Sequence, residues 1–246
     1  MEETGRLARP DGVELAYARL PGAQPGIVFL GGFRSDMAGT KAIFLRDWCA
    51  ARGRAFLRLD YAGHGISGGR FEDGTIGAWA ADAALLIGQL TEGPQILVGS
   101  SMGGWIALLL ARRDPARVQA LVGIAAAPDF TEVLMQPGFT PAQRAALAAE
   151  GLVLIPSDYG DPYPITAALL EDGRRQSVLD RPLPLPMPVR LLQGMADPDV
   201  PWQHALKLVA AIAGADVQLT LVKDGDHRLS RPADLDLLAR SLEALI

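Results

Sequence analysis

The chain has 246 residues, 49% hydrophobic and 21% charged, a balance that excludes wholesale disorder and allows one large core. Its 23 basic and 28 acidic residues leave a net charge of −5, the wrong sign for a nucleic-acid or anionic-membrane binder. The single cysteine, Cys49, excludes an internal disulfide framework, and with only His64, His204 and His227 beside it no metal site is expected.

The N-terminal MEETGRLARPDG is polar and lacks the pattern of a secretory signal or transit peptide, and no apolar run approaches the ~20 residues of a membrane span. A soluble, cytoplasmic protein without a transmembrane segment is the expectation. Val13–Leu20 alternates apolar and polar residues, as a strand does, and Gly26–Gly31 is a buried run ending in glycines. Lys41–Arg52 has helical spacing, Arg54–Asp60 reads as a strand, and Tyr61–Gly69 is a glycine-rich loop. Ile76–Leu90 is an Ala- and Leu-rich helix, Gln95–Gly99 a buried strand, Met102–Arg112 a helix and Val118–Ala126 another apolar strand. After a long interruption come the strand Val189–Gln193, the helix Trp202–Ile212, the strand Val217–Val222 and the helix Ala233–Leu245. Buried strands separated by helices predict an α/β fold, a mostly parallel sheet covered on both faces. The interruption, Pro128–Pro188, is rich in proline, with helical pieces at Pro141–Glu150 and Ile165–Arg175 and a loop at Pro156–Pro164. Insertions of this length are more often functional than structureless. The expected organisation is therefore a single domain over 1–246 with a cap or lid at 128–188.

Gly99-Ser100-Ser101-Met102-Gly103 fits G-x-S-x-G, with a strand before it and a helix after it. Such a strand-to-helix turn is too tight for side chains at the glycine positions, and it lifts the serine clear of the strand ends. Ser101 is the candidate nucleophile, because a frame centred on Ser100 would need glycine where Val98 stands. A serine hydroxyl needs a base held by a third group. In this architecture the acid and then the histidine follow the serine along the chain. Asp197 and His227 lie just beyond strand ends and are the candidates. Asp199 competes with Asp197, but its neighbours Val200-Pro201 start the next helix and direct it away; Asp226 adjoins His227. His64 precedes the nucleophile in a loop, and His204 sits on a helix; neither, nor Ser67, is assigned chemistry. Two backbone donors must meet the oxyanion. Met102, after the nucleophile, offers one N–H, and Phe33, behind Gly31 and Gly32, offers the other.

At these residues the chain resembles the serine α/β-hydrolases over nearly its full length. Within them it is similar to the mitochondrial palmitoyl-protein thioesterases and acyl-glucuronide esterases of the α/β-hydrolase-domain group. The resemblance is carried by ARLPGAQPGIVFLGGFRSDMAGTKA, RLDYAGHGISGG, GPQILVGSSMGGW, VRLLQGMADPDVPWQ and DGDHR. It implies Ser101 as nucleophile, Asp197 as acid and His227 as base, with hydrolysis of acyl thioesters or carboxylic esters, no cofactor, and a small-molecule or acylated-protein substrate. Gly31 stands where many members carry histidine, and the stretch 128–188 matches less well. A perhydrolase or C–C hydrolase with the same triad, or a binding scaffold without turnover, is the alternative. Serine at the elbow argues against haloalkane or epoxide hydrolysis. The apolar residues Phe130, Val133, Leu134, Met135, Leu152, Leu154 and Ile155 are expected to line an acyl pocket under the cap.

Overall fold

The computed structural model describes residues 1–157 and 160–246. Strands β1 (Glu3–Ala8), β2 (Glu14–Leu20), β3 (Ala23–Leu30), β4 (Arg54–Leu59), β5 (Gln95–Ser100), β6 (Val118–Ile124), β9 (Val189–Gly194) and β10 (Val217–Val222) form one sheet; β7 (Leu152–Ser157) and β8 (Gly160–Thr166) form a separate hairpin. The order in the large sheet is β1-β2-β4-β3-β5-β6-β9-β10. Strands β4, β3, β5, β6, β9 and β10 run parallel, and β2 runs against its neighbours β1 and β4. The helices are α1 (Thr40–Ala51), α2 (Ile76–Leu90), α3 (Met102–Arg113), α4 (Pro141–Glu150), α5 (Ala167–Arg175), α6 (Trp202–Ala211) and α7 (Pro232–Glu243).

The apolar runs are continuous because each strand feeds two cores. Val28 and Leu30, Leu97, Leu121 and Leu191 face the layer holding Trp79, Trp105 and Leu208 of α2, α3 and α6. Their neighbours Ile27 and Phe29, Ile96 and Val98, Val122 and Leu192 face Leu45, Trp48 and Cys49 of α1 and Leu238 and Leu242 of α7. Cys49 is core, and burial pushes its thiol up to about 12, which leaves it protonated and unreactive at neutral pH. The chain passes from β3 to β4 on one side and then crosses back to β5 on the other, so a crevice opens at the carboxyl ends of these strands.

Two regions differ from the sequence reading. The polar N-terminus forms β1, an edge strand with no fully buried residue, in register with β2 from Glu3↔Arg19 to Ala8↔Glu14. It has no buried face, so it carries no apolar period to read. The expected loop at Pro156–Pro164 is mostly the hairpin β7–β8, despite its prolines; its residues 158 and 159 lie outside those described. A two-stranded hairpin has open edges where proline loses no ladder bond. The insertion also holds a short π-helix, Thr131–Met135. Its two ends are tied together. Asp129, in a left-handed conformation at φ 57°, accepts from Ser177 Oγ at 2.6 Å and from the Val178 and Leu179 N–H groups, each at 2.9 Å.

Candidate active site

β5 is buried along its whole length and delivers Ser101 to the start of α3. Ser101 adopts φ 54°, ψ −119°, a strained conformation costing on the order of 1–3 kcal/mol that the surroundings must enforce. They do so on both sides. The Ser101 N–H donates to Ile124 O at 2.9 Å, and the Ala127 N–H donates to Ser101 O at 3.1 Å. A Cβ at Gly99 would stand 2.3 Å from Gly103 O, and one at Gly103 would stand 2.0 Å from Leu30 O. Both glycines are therefore required by close backbone approach.

Asp197 and His227 follow the adjacent strands β9 and β10, whose ends are locked together by Met195 N–H to Val222 O (2.9 Å) and Ala196 N–H to Gly225 O (3.0 Å). His227 Nδ1 donates to Asp197 Oδ2 at 2.8 Å, and His227 Nε2 lies 3.1 Å from Ser101 Oγ. With the proton on Nδ1, Nε2 is left to accept the serine hydroxyl. Asp197 Oδ1 accepts the Asp199 and Val200 N–H groups, each at 2.8 Å, and Oδ2 also accepts Gln193 Nε2 at 3.1 Å. Burial pushes the Asp197 carboxyl up, but the bond and charge of His227 with the two backbone N–H groups outweigh it, and the net shift is downward. Asp197 is thus an anion that orients the imidazole. Gln193, buried at the end of β9, also donates to Val200 O at 2.9 Å and sets the carboxylate in place. Sequence reasoning missed it; its only signal was a polar residue in an otherwise apolar strand.

The competing residues have other duties. Asp199 is exposed and lends its N–H to Asp197, while Asp226 Oδ1 accepts Leu229 N–H at 2.9 Å. His64 is buried against Tyr61, Phe71 and Trp79, and burial pulls it down to about 4, assisted by Arg34 and opposed by its bond to Ala62 O. His204 is also buried and shifted downward, and its Nε2 donates to Pro128 O at 2.8 Å, bracing the start of the insertion. Ser67 Oγ donates to Asp60 O at 2.7 Å and accepts Ala16 N–H at 2.8 Å. Among the described residues, Asp197, Asp199 and His227 are a group whose donor atoms lie within 4.8 Å of one another. Asp197 and His227 are bonded to each other and the imidazole's other nitrogen meets Ser101, so these groups are arranged for proton transfer.

The Phe33 loop lies against the elbow: a Cβ at Gly32 would be 3.4 Å from both Ser101 Cβ and Ser100 O. Tyr61 Oη donates to Gly31 O at 3.2 Å from below. Met102 opens α3, where N–H groups lack intrahelical partners and the helix dipole is positive. Among the described residues neither the Phe33 nor the Met102 N–H is taken up by a protein acceptor. Phe33 lines the cavity that Ser101 opens into, and Met102 follows Ser101 directly.

Ser101 and His227 open into a cavity of about 590 Å³, within the usual range for a small-molecule site. Phe33, Phe130, Leu134, Met135 and Tyr163 supply its apolar wall. The Phe33 ring meets Phe130 at 5.7 Å and Tyr163 at 5.6 Å. Of the expected lining residues, Phe130, Leu134 and Met135 are in this wall. Val133 (42% exposed) and Leu154 (57% exposed) turn to solvent, and Leu152 and Ile155 lie outside the wall. Val153 and Ile155 pair with Ile165 and Tyr163 towards the body, so period-2 alternation turns Leu154 outward. Tyr163 was missed because it sits in a segment read as loop.

The profile of the family described as "Serine aminopeptidase, S33" matches residues 24–156. Palmitoyl-protein thioesterase ABHD10, mitochondrial, of Bos taurus is 40% identical over 244 residues, 98% of this chain and 79% of that protein. The chain belongs to the α/β-hydrolases. Two similar solved structures superpose along nearly the whole chain. One is a putative hydrolase from Agrobacterium vitis S4, with a TM-score of 0.96, 46% identity, and coverage of 100% of this chain and 99% of that one. The other is α/β-hydrolase domain-containing protein 10 from mouse, with a TM-score of 0.90, 37% identity, and coverage of 99% and 98%. This α/β-hydrolase is a serine hydrolase of that group.

Proposed function

We propose that this α/β-hydrolase cleaves acyl thioesters through an acyl-enzyme on Ser101, with acylated protein cysteines as its substrate class. The reading is carried by one observation, the unbroken Ser101–His227–Asp197 relay opening into an apolar cavity. It is supported by the similarity to ABHD10, whose name states that activity. In the first half-reaction His227 Nε2 takes the Ser101 proton as Oγ attacks the acyl carbonyl. The Phe33 and Met102 N–H groups donate to the oxyanion. Asp197 stabilises the imidazolium, the C–S bond breaks, and the thiol leaves with the proton from His227. In the second half-reaction His227 takes a proton from water. The hydroxide adds to the acyl carbon, the Ser101 ester bond breaks, and the fatty acid is released as His227 returns the proton to Oγ.

The segment 128–188 acts in this reading as the cap that supplies the acyl wall through Phe130, Leu134, Met135 and Tyr163. The mitochondrial address belongs to the relatives' names and is not carried over. The test compares kcat/KM for acyl thioesters and oxygen esters over a range of chain lengths. Preference for long-chain thioesters, lost in Ser101→Ala, is the expected outcome. A protein that a fluorophosphonate labels at Ser101 but that turns over none of these substrates would overturn it.

A further inference from the structure

Lys41 stands in an unfavourable place for a cation. It is in the first turn of α1, which has no acidic residue there and whose N-terminal dipole end is already positive. It is only partly exposed, and it lines the same cavity as Ser101 and His227. Departures from local preference of this kind tend to fall at working sites. The Lys41 ammonium donates to the backbone carbonyl of Arg228, the residue after His227, and lies 3.4 Å from Ser230 Oγ. Ser230 Oγ donates to the same carbonyl at 3.1 Å. The loop needs such a tie. Leu229, buried and not glycine, sits at φ 44°, a strained conformation that persists only when its surroundings enforce it. From inside, Asp226 holds the Leu229 N–H; from across the cavity, Lys41 holds the Arg228 carbonyl.

We propose that Lys41 is a positioning residue for catalysis: its ammonium clamps the His227 loop and so sets the imidazole against Ser101. The proposal rests on the triad reading above. A charge-assisted hydrogen bond is roughly twice as strong as a neutral one, so the clamp weakens when the ammonium loses its proton. The charged groups facing Lys41 are Asp226 and Arg228 of the histidine loop and Asp234 of α7, with Arg34 and Asp36 on the same cavity wall. Burial pulls the ammonium down to about 8, with Arg228 helping and the two aspartates opposing. Activity therefore falls, to a lower plateau, as the pH passes about 8.

The test is the pH dependence of Ser101 labelling by a fluorophosphonate in the full chain, which separates the maximal labelling rate from probe affinity. Lys41→Met is expected to lose about tenfold or more in maximal rate, the order of effect of a small misplacement of reacting groups, with probe affinity unchanged. It is also expected to lack the alkaline fall. Lys41→Arg keeps the charge at all accessible pH and is expected to restore most of the rate without that fall. If Lys41→Met labels at the wild-type rate, or if folded Lys41→Arg matches Lys41→Met, the proposal is overturned. Should the variants not fold, a wild-type profile flat from pH 7 to about 9.5 overturns it alone. Wild-type protein that is not labelled at any pH would instead indict the triad reading, so the two failures are distinct.

Discussion

Ser101 and Ser100 are adjacent residues with different surroundings, and the difference is conformational. Ser100 completes β5 in an extended strand, while Ser101 at φ 54° is thrown off the strand end towards His227 Nε2 at 3.1 Å. Ser101→Ala is expected to lower kcat by several orders of magnitude, leaving a residual of roughly 10³–10⁴ over water from the oxyanion donors and binding. Its thermal midpoint should stay near that of the wild type, because the backbone bonds that pin the elbow are kept. Ser100→Ala is expected to retain most of the activity. Equal losses in the two variants at unchanged stability, read by thioester turnover and thermal melting, would show that the nucleophile is misassigned. The triad was legible because its members occupy the turn after β5 and the loops after β9 and β10, each announced by an apolar run. Gln193 and Lys41 were not legible as site residues, since what they do depends on which distant carboxylate or carbonyl the fold brings to them.

The secondary elements of the sheet and its covering helices were readable to within about three residues, because burial on both sheet faces writes an apolar run into each strand and a stripe into each helix. β1, with no buried residue, and the hairpin β7–β8, whose prolines read as a loop although Val153 and Ile165 are buried, were not. That limit matters for the segment 128–188, where alternation along β7 turns Val153 towards the body and Leu154 to solvent. Leu134 and Met135, on the π-helical turn, are in the wall; Leu154, on the outward side of β7, is not. Each CH₂ buried in the wall should contribute up to ~0.8 kcal/mol, about a fourfold gain in kcat/KM where it is fully expressed in the transition state. Met135→Ala and Leu134→Ala are expected to shift the preferred acyl length while leaving acetyl-ester turnover nearly unchanged. Leu154→Ala should leave the profile as it is. A chain-length profile unmoved by Met135→Ala and Leu134→Ala together would remove the cap from the specificity account.

Taken as one molecule, the protein builds its site in a crevice at the carboxyl ends of the parallel strands and supports it with an aromatic cluster. Phe33 meets Phe71 at 4.9 Å and Trp79 at 5.9 Å, and His64 is set among Tyr61, Phe71 and Trp79. His64 Nδ1 donates to Ala62 O at 3.3 Å, and its Nε2 is buried without a partner among the described residues. The folded state therefore holds this imidazole neutral, with its proton affinity pulled by burial from 6.5 to about 4. The unfolded chain takes up a proton near 6.5 and the folded one only near 4, so U binds more protons than N across that window and stability falls as the pH drops through it. The linked loss is about 3 kcal/mol, complete near pH 4 and absent above about 6.5. His64→Phe is expected to flatten that part of the stability profile, measured as the difference in urea-unfolding free energy between wild type and variant from pH 7 to about 4. It should also keep thioester turnover, since His227 and not His64 lies against Ser101. A variant whose stability falls with acid as steeply as the wild type would show that His64 is not the group that charges on unfolding. Loss of turnover in folded His64→Phe, with His227→Gln still active, would move the base to His64 and with it the whole account of the crevice.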